Sequence, residues 1–197
     1  MTMIIRQTSL PGVVVFEPKV FGDARGFFVE TFRQDWLREA GVTLPFVQDN
    51  QSRSRRGVLR GLHYQMEQTQ GKLVRVASGR VFDVAVDVRK GSPTFGQWEG
   101  VVLDDESHCQ FYVPPGFAHG FVVLSETADF VYKCTEYYHP ASEAGICWDD
   151  PVVGIKWPEE ILDSILLSEK DRALPLLENQ VASLLPDYAQ FPDPAGD

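Results

Sequence analysis

An antiparallel all-β jelly-roll barrel with a few short helices is the fold this sequence predicts, and three observations carry the prediction. Short alternating or β-branched runs recur along the 197-residue chain, turn residues separate them, and only two brief stretches have helical character. Many short strands that close on themselves leave an apolar interior able to hold a ligand.

Val13 to Phe16 is the first such run and Gly26 to Phe32 the second. A helix over Asp35 to Ala40 is expected to stop at Gly41, because glycine accepts the left-handed conformation that ends a helix. Strands follow at Val58 to Gln65, Lys72 to Ala77, Val81 to Val88, Glu99 to Leu103, Gln110 to Val113, Gly120 to Leu124 and Phe130 to Tyr137. Ala77-Ser78-Gly79, Lys90-Gly91-Ser92-Pro93 and Pro114-Pro115-Gly116 punctuate them. A second helix is expected after Asp171. Residues 1–184 read as one domain, and the tail 185–197, with three prolines and no apolar period, as a loosely held extension.

Composition narrows the function. A net charge of −10 argues against general nucleic-acid binding. Between Arg53 and Lys90, however, nine basic residues face three acidic ones, a local cationic cluster suited to a small anion such as a diphosphate or, equally, to a solvated strand pair. There is no apolar run of roughly eighteen residues and no signal-peptide pattern at the start, so a cytoplasmic protein without membrane partners is expected. Cys109, Cys134 and Cys147 are too few and too scattered for a disulfide framework.

Two of the four histidines sit in well-specified contexts, His63 in Gly-Leu-His-Tyr-Gln and His119 in Pro-Pro-Gly-Phe-Ala-His-Gly-Phe. Gly57 to His63 and Pro114, Gly116 and His119 resemble the two histidine motifs of the cupin superfamily. Gln65 replaces the second histidine ligand of that pattern, and Thr69 and Gln70 stand where its glutamate would be. Two imidazoles make a poor site for a divalent metal, so none is expected. With no nucleophile elbow, P-loop or dinucleotide motif, and no cofactor expected, general acid–base catalysis remains, with His63 as its natural base. In Leu166 to Arg172 a carboxylate could orient that imidazole, or Ser168 and Asp171 could simply cap a helix.

Seven segments in register resemble the dTDP-4-dehydrorhamnose 3,5-epimerase family: Phe21 to Glu30, Phe46 to Ser52, Gly57 to Gln65, Gln70 to Val76, Gly91 to Gly96, Pro115 to Phe121 and Leu167 to Asp171. The resemblance implies a homodimer with shared N-terminal strands that inverts C3 and C5 of a dTDP-linked 4-keto-6-deoxy sugar on the route to L-rhamnose, for cell-surface polysaccharide. His63 would be the base, Asp171 its orienting partner, Lys72 the cation at the C4 oxygen and Tyr132 the opposed acid. Arg25 and Arg60 would meet the diphosphate. Phe27, Glu30, Gln48, Asp49, Asn50, His119, Glu143 and Lys170 would also contact the ligand, and Tyr138 would stack on thymine, with Tyr137 the adjacent alternative.

Read without the resemblance, Tyr132 is a core residue in phase with Phe130 and Cys134, and Lys72 an exposed strand lysine. Strand parity sets Arg60 and His63 on opposite faces unless Gly61 marks a bulge. Competing readings are a single-centre epimerase or ketoisomerase of a related sugar, a silent sugar-nucleotide binder, and a metal-dependent cupin. A binder needs no base, acid and enolate-stabilising cation together.

Overall fold

The computed structural model describes residues 3–194. Apolar alternation and turn chemistry divide them into thirteen strands. These are β1 (Ile4–Gln7), β2 (Val14–Glu17), β3 (Val20–Asp23), β4 (Gly26–Val29), β5 (Gln48–Arg55), β6 (Leu59–Gln65), β7 (Lys72–Ser78), β8 (Arg80–Asp87), β9 (Trp98–Asp104), β10 (Gln110–Val113), β11 (Phe117–Val123), β12 (Thr127–Cys134) and β13 (Glu143–Gly145). Two short α-helices accompany them, α1 (Gln34–Glu39) and the single turn α2 (Glu169–Arg172).

Two antiparallel sheets face each other, one ordered β1-β2-β10-β7-β12-β5 and the other β13-β6-β11-β8-β9. The β3–β4 hairpin forms a separate two-stranded ribbon. Between the sheets lies an inner core of Val74, Val76, Phe111, Phe121 and Phe130. The outer face of the five-stranded sheet is covered by the C-terminal third through Ile146, Trp157, Ile161 and Leu177. That of the six-stranded sheet is capped by α1 through Leu37 and Ala40. Each large apolar side chain among these contributes about 1.5–3 kcal/mol by leaving water, so the covering segments are part of what holds the sheets together. Among the described residues no helix is long and apolar enough to cross a membrane.

The expected jelly-roll barrel of antiparallel strands is present, with four differences in detail. The short strands β1, β3 and β13 were not expected, and neither was β5, which has no apolar alternation. Of the inward side chains of β5, Gln48, Asn50 and Ser52 line a polar hollow in place of a core, and Ser54 is buried beside it against Arg60. The run from Gly26 ends at Val29 because its strand belongs to the hairpin. No α-helix begins after Asp171, and only two 3-10 turns, Leu177–Asn179 and Ala182–Leu184, follow it; the residue itself lies inside α2, where the Ser168 hydroxyl accepts the Asp171 amide and caps the turn.

The tail is the fourth difference. Through Pro194 it is docked, against the expectation of a loose extension. Arg89 is 2% exposed and donates to Asp87, to the Phe191 carbonyl and to Asp193, while its guanidinium lies 4.5 Å from the Phe117 ring and 5.0 Å from that of Tyr188. A buried guanidinium has to find partners for its donors, and the tail supplies two of them. The last three residues of the predicted extension, and the first two of the chain, lie outside the described residues.

Candidate active site

The inner faces of the two sheets turn from apolar to polar at one end of the barrel. On the six-stranded side, Tyr132 pairs with Asn50 and with Val74, and Cys134 pairs with Gln48 and with Lys72. Directly opposed residues share a face, so Lys72, Tyr132, Asn50 and Gln48 all point inward. On the facing sheet, His63 pairs with His119, Glu143 with Gln65, and Phe121 with both Arg60 and Asp83.

A bulge reconciles Arg60 with His63. Two residues of β6, Gly61 and Leu62, stand against the single residue Gly120 of β11, which restores both side chains to the inner face. Gly61 has φ +119°, and a Cβ there would stand 2.6 Å from the Gly120 Cα and 2.7 Å from the His119 carbonyl oxygen. Only glycine fits this crossing.

Two adjoining cavities of about 360 and 220 Å³ share His63, Lys72, Tyr132, Tyr138 and Glu143 as lining. Phe121 and Phe130, stacked at 4.0 Å, line the deeper one beside the inner core. A larger hollow of about 550 Å³ lies beside Pro114 and the tail and contains none of the sequence-predicted residues.

His63 Nε2 lies 2.6 Å from Asp171 Oδ1, and Asp171 Oδ2 accepts the Ser168 hydroxyl at 2.7 Å. Burial pushes the Asp171 carboxyl up, but the hydrogen bonds from His63 and Ser168 outweigh it and hold the group below its usual range. An ionised carboxylate only accepts, so Nε2 carries the ring proton and Nδ1 keeps its lone pair. The carboxylate and capping roles weighed for this segment are therefore both filled, by Asp171 and Ser168.

Glu143 Oε1 is 3.7 Å from His63 Nδ1. Its Oε2 accepts the Tyr138 hydroxyl at 2.7 Å and Lys170 Nζ at 2.5 Å. Burial raises the Glu143 carboxyl, yet these two donors and the nearby imidazole bring it below its usual value. The hydrogen bond to Glu143 in turn pushes the Tyr138 phenol up to about 12. Burial lowers Lys72, opposed by Cys134, Glu143 and Asp83, and raises Tyr132, whose phenol keeps its proton at neutral pH.

Other predicted residues divide into two groups. Gln48, Asn50, Arg60, His119, Glu143 and Lys170 line the cavities, with Arg60 anchored on the Ser54 hydroxyl. Tyr138 is a lining residue and Tyr137 is not. Asp49 is not gathered in, because strand parity turns it outward, where it accepts Lys133 Nζ at 2.8 Å. Arg25, Phe27 and Glu30 also stand apart from these two cavities, and Arg25 and Phe27 line a separate hollow on the β3–β4 hairpin. Arg25 and Phe27 ride on the β3–β4 ribbon, Arg25 bonded to Asp23 and Phe27 in tilted contact with His108 at 4.6 Å. Glu30 Oε2 is buried without a hydrogen-bond partner.

Sequence reasoning missed Asp83, which is fully buried and accepts from His119 Nε2 at 2.9 Å. The available signal was a carboxylate inside Val81 to Val88, since acidic side chains are seldom fully buried unless paired. It also missed what Gln65 does. Standing at the cupin ligand position, Gln65 donates to the Gln68 and Tyr137 carbonyls and accepts the His139 amide, fixing the loop that presents Tyr138. No group of three or more His, Cys, Asp or Glu able to hold a metal occurs among the described residues.

A family model described as dTDP-4-dehydrorhamnose 3,5-epimerase matches residues 7–179. The chain is 56% identical over 176 residues to the dTDP-4-dehydrorhamnose 3,5-epimerase of Methanothermobacter thermautotrophicus, covering 89% of this chain and 95% of that one. It is 59% identical over 165 residues to that of Pseudomonas aeruginosa, covering 83% and 90%. Among solved structures, it superposes with TM-score 0.91 and 56% identity on the dTDP-6-deoxy-D-glucose-3,5-epimerase of Legionella pneumophila in complex with dTDP-4-keto-L-rhamnose, covering 95% and 99%. A 3'-monoepimerase of Streptomyces bikiniensis in complex with dTDP-quinovose is similar at TM-score 0.88 and 39% identity, covering 94% of each chain.

Proposed function

The chain belongs to the dTDP-4-dehydrorhamnose 3,5-epimerase family, and we propose from that premise how its residues divide the reaction. The protein is an isomerase that inverts C3 and C5 of dTDP-4-dehydro-6-deoxy-D-glucose, giving dTDP-4-dehydro-L-rhamnose for dTDP-L-rhamnose synthesis.

The C4 ketone acidifies the protons on both neighbouring carbons, so one enolate-stabilising site serves both centres. His63 Nδ1 removes each proton while Asp171 holds the ring in the tautomer that exposes this nitrogen. Lys72, which lines both cavities, stabilises in its ammonium form the charge that develops on the C4 oxygen. Tyr132 lies on the opposite sheet from His63 and donates a proton to the other face, which inverts the centre. Arg60, Lys170 and His119 take the anionic and hydroxyl groups of the ligand, Gln48 and Asn50 the nucleoside, and Tyr138 stacks on the thymine. The observation that carries this reading is one cavity shared by a carboxylate-bound imidazole on one wall and a protonated phenol and a half-buried lysine on the other.

Homodimerisation is part of the same proposal. Phe27 and Phe28 are 61% and 59% exposed on a ribbon that projects from the barrel, and the Arg25 side chain is 90% exposed beside them. Two neighbouring phenylalanines left in water favour burial against a partner. In a dimer the ribbon lies over the second copy's cavity, where Arg25 and Phe27 contact its ligand. The diphosphate substrate and acidic surface fit a cytoplasmic location.

Proton NMR with this substrate in deuterium oxide tests the reading. Deuterium should enter at both C3 and C5 with the wild-type protein and at neither with His63→Ala. Exchange at one carbon alone would make the protein a single-centre epimerase, and exchange that survives in His63→Ala would remove His63 as the base.

A further inference from the structure

A base that serves two centres has to be emptied between them. Once His63 has taken the first proton it is an imidazolium, and it cannot deprotonate the second carbon until that proton has left. During the second inversion the sugar still fills the cavity, so bulk water has no direct approach to the ring. A route through protein groups is therefore required, and it has to start at the nitrogen that accepted the proton.

We infer that Glu143 is that route, relaying the proton from His63 to solvent between the two inversions. The inference rests on His63 being the base. One oxygen of Glu143 faces His63 Nδ1 at 3.7 Å. The other bonds Tyr138 and Lys170, which are 52% exposed and, for the lysine side chain, 56% exposed. The carboxylate itself is only 12% exposed. It therefore spans from the ring to the rim of the cavity. Asp171 cannot take this part, since it holds the opposite nitrogen and its second oxygen is occupied by Ser168.

The protons balance. The C–H proton passes to Nδ1, then to a Glu143 oxygen after a small swing of either side chain, giving the carboxylic acid. That acid loses the proton to water at the rim and is a carboxylate again. Meanwhile Tyr132 gives its phenolic proton to the carbon, and the phenolate regains one from solvent through the polar cavity it shares with Gln48 and Asn50. Each inversion moves one proton out and one proton in.

Glu143→Gln tests the assignment, because the amide keeps a hydrogen-bond acceptor for Tyr138 but cannot carry the proton. With enzyme in excess over substrate in deuterium oxide, exchange at the first and second carbons is followed by NMR in one reaction. The expected result is a second exchange slowed by about 10- to 100-fold more than the first, with release of singly inverted sugar. Glu143→Asp, which keeps a carboxylate, is expected to recover most of the second exchange. If Glu143→Gln slows both carbons equally, or neither, Glu143 only binds ligand and the relay is overturned. That outcome leaves the base untouched, whereas exchange surviving in His63→Ala removes the base itself.

Discussion

His63 and His119 stand directly opposite each other across strands β6 and β11, and each imidazole is bonded to a carboxylate of its own, Asp171 for the first and Asp83 for the second. The two pairs differ in setting. Asp171 lies on a late single turn with Ser168 as its second partner, whereas Asp83 is fully buried within β8 and its carboxyl is raised by that burial against the opposing His119 and Lys72.

Asp171→Asn should lower kcat by about 10²- to 10⁴-fold with little change in KM, since an amide can donate to Nε2 and select the wrong tautomer. Steady-state kinetics beside a circular dichroism spectrum would separate this from misfolding. A loss confined to KM would mean that Asp171 serves binding alone.

Alkaline pH should reveal Lys72. Burial disfavours its charged form and lowers its pKa, so kcat should fall as pH rises through a value below the ordinary 10.5 of lysine. Tyr132 shifts upward and does not supply this limb. Lys72→Arg, whose guanidinium stays charged, should retain some activity and lose the alkaline fall. A limb unchanged in Lys72→Arg would assign it to another group.

Removing the aromatic surface of the ribbon should separate assembly from chemistry. Phe27→Ser with Phe28→Ser is expected to shift the protein toward monomer in sedimentation velocity, and Arg25→Ala to raise KM for the sugar nucleotide while the protein stays folded. An unchanged sedimentation coefficient in the double variant would place the dimer contact elsewhere.

Acid should unfold the protein partly through Asp87. Burial raises this carboxyl, but hydrogen bonds from Arg89, Ser92 and Thr94 outweigh it and hold the folded-state pKa below 3.8. A depressed carboxyl contributes stability that is present above its unfolded pKa and lost as pH falls through the folded one. Stability measured by urea titration should therefore fall below about pH 4, and Asp87→Asn should flatten that slope. The same slope in the variant would exclude Asp87 as its source.

How much of this was legible in the sequence depended on what each strand faces. Strands whose inner or outer faces are apolar, such as β7, β8 and β10, announce themselves by alternation. β5 does not, because the face that would normally reveal it is a wall of the binding cavity and is made of Gln48, Asn50, Ser52 and Ser54. The proposed catalytic residues could be named through resemblance, and His63 from chemistry too. The partner of each imidazole could not be fixed, since 108 residues separate His63 from Asp171 and spacing alone does not bring them together. Asp49 was misplaced because a motif carries no parity; its neighbours Gln48 and Asn50 point in and it points out. The tail looked loose because its anchors are a carbonyl and one carboxylate meeting a buried arginine.

That anchoring has a consequence for how the protein is made. Arg89 emerges from the ribosome 104 residues ahead of Asp193, and His63 108 residues ahead of Asp171. At typical synthesis rates of about 5–20 residues per second, the barrel strands wait several seconds before either pair can close. Until then a guanidinium destined for burial lacks its tail partners, and the base lacks the group that orients it. A nascent chain or a prematurely terminated product ending before Asp171 therefore carries most of the binding cavity and none of the oriented imidazole, so that sugar chemistry begins only once the segment holding Asp171 has been made and has folded back onto β6.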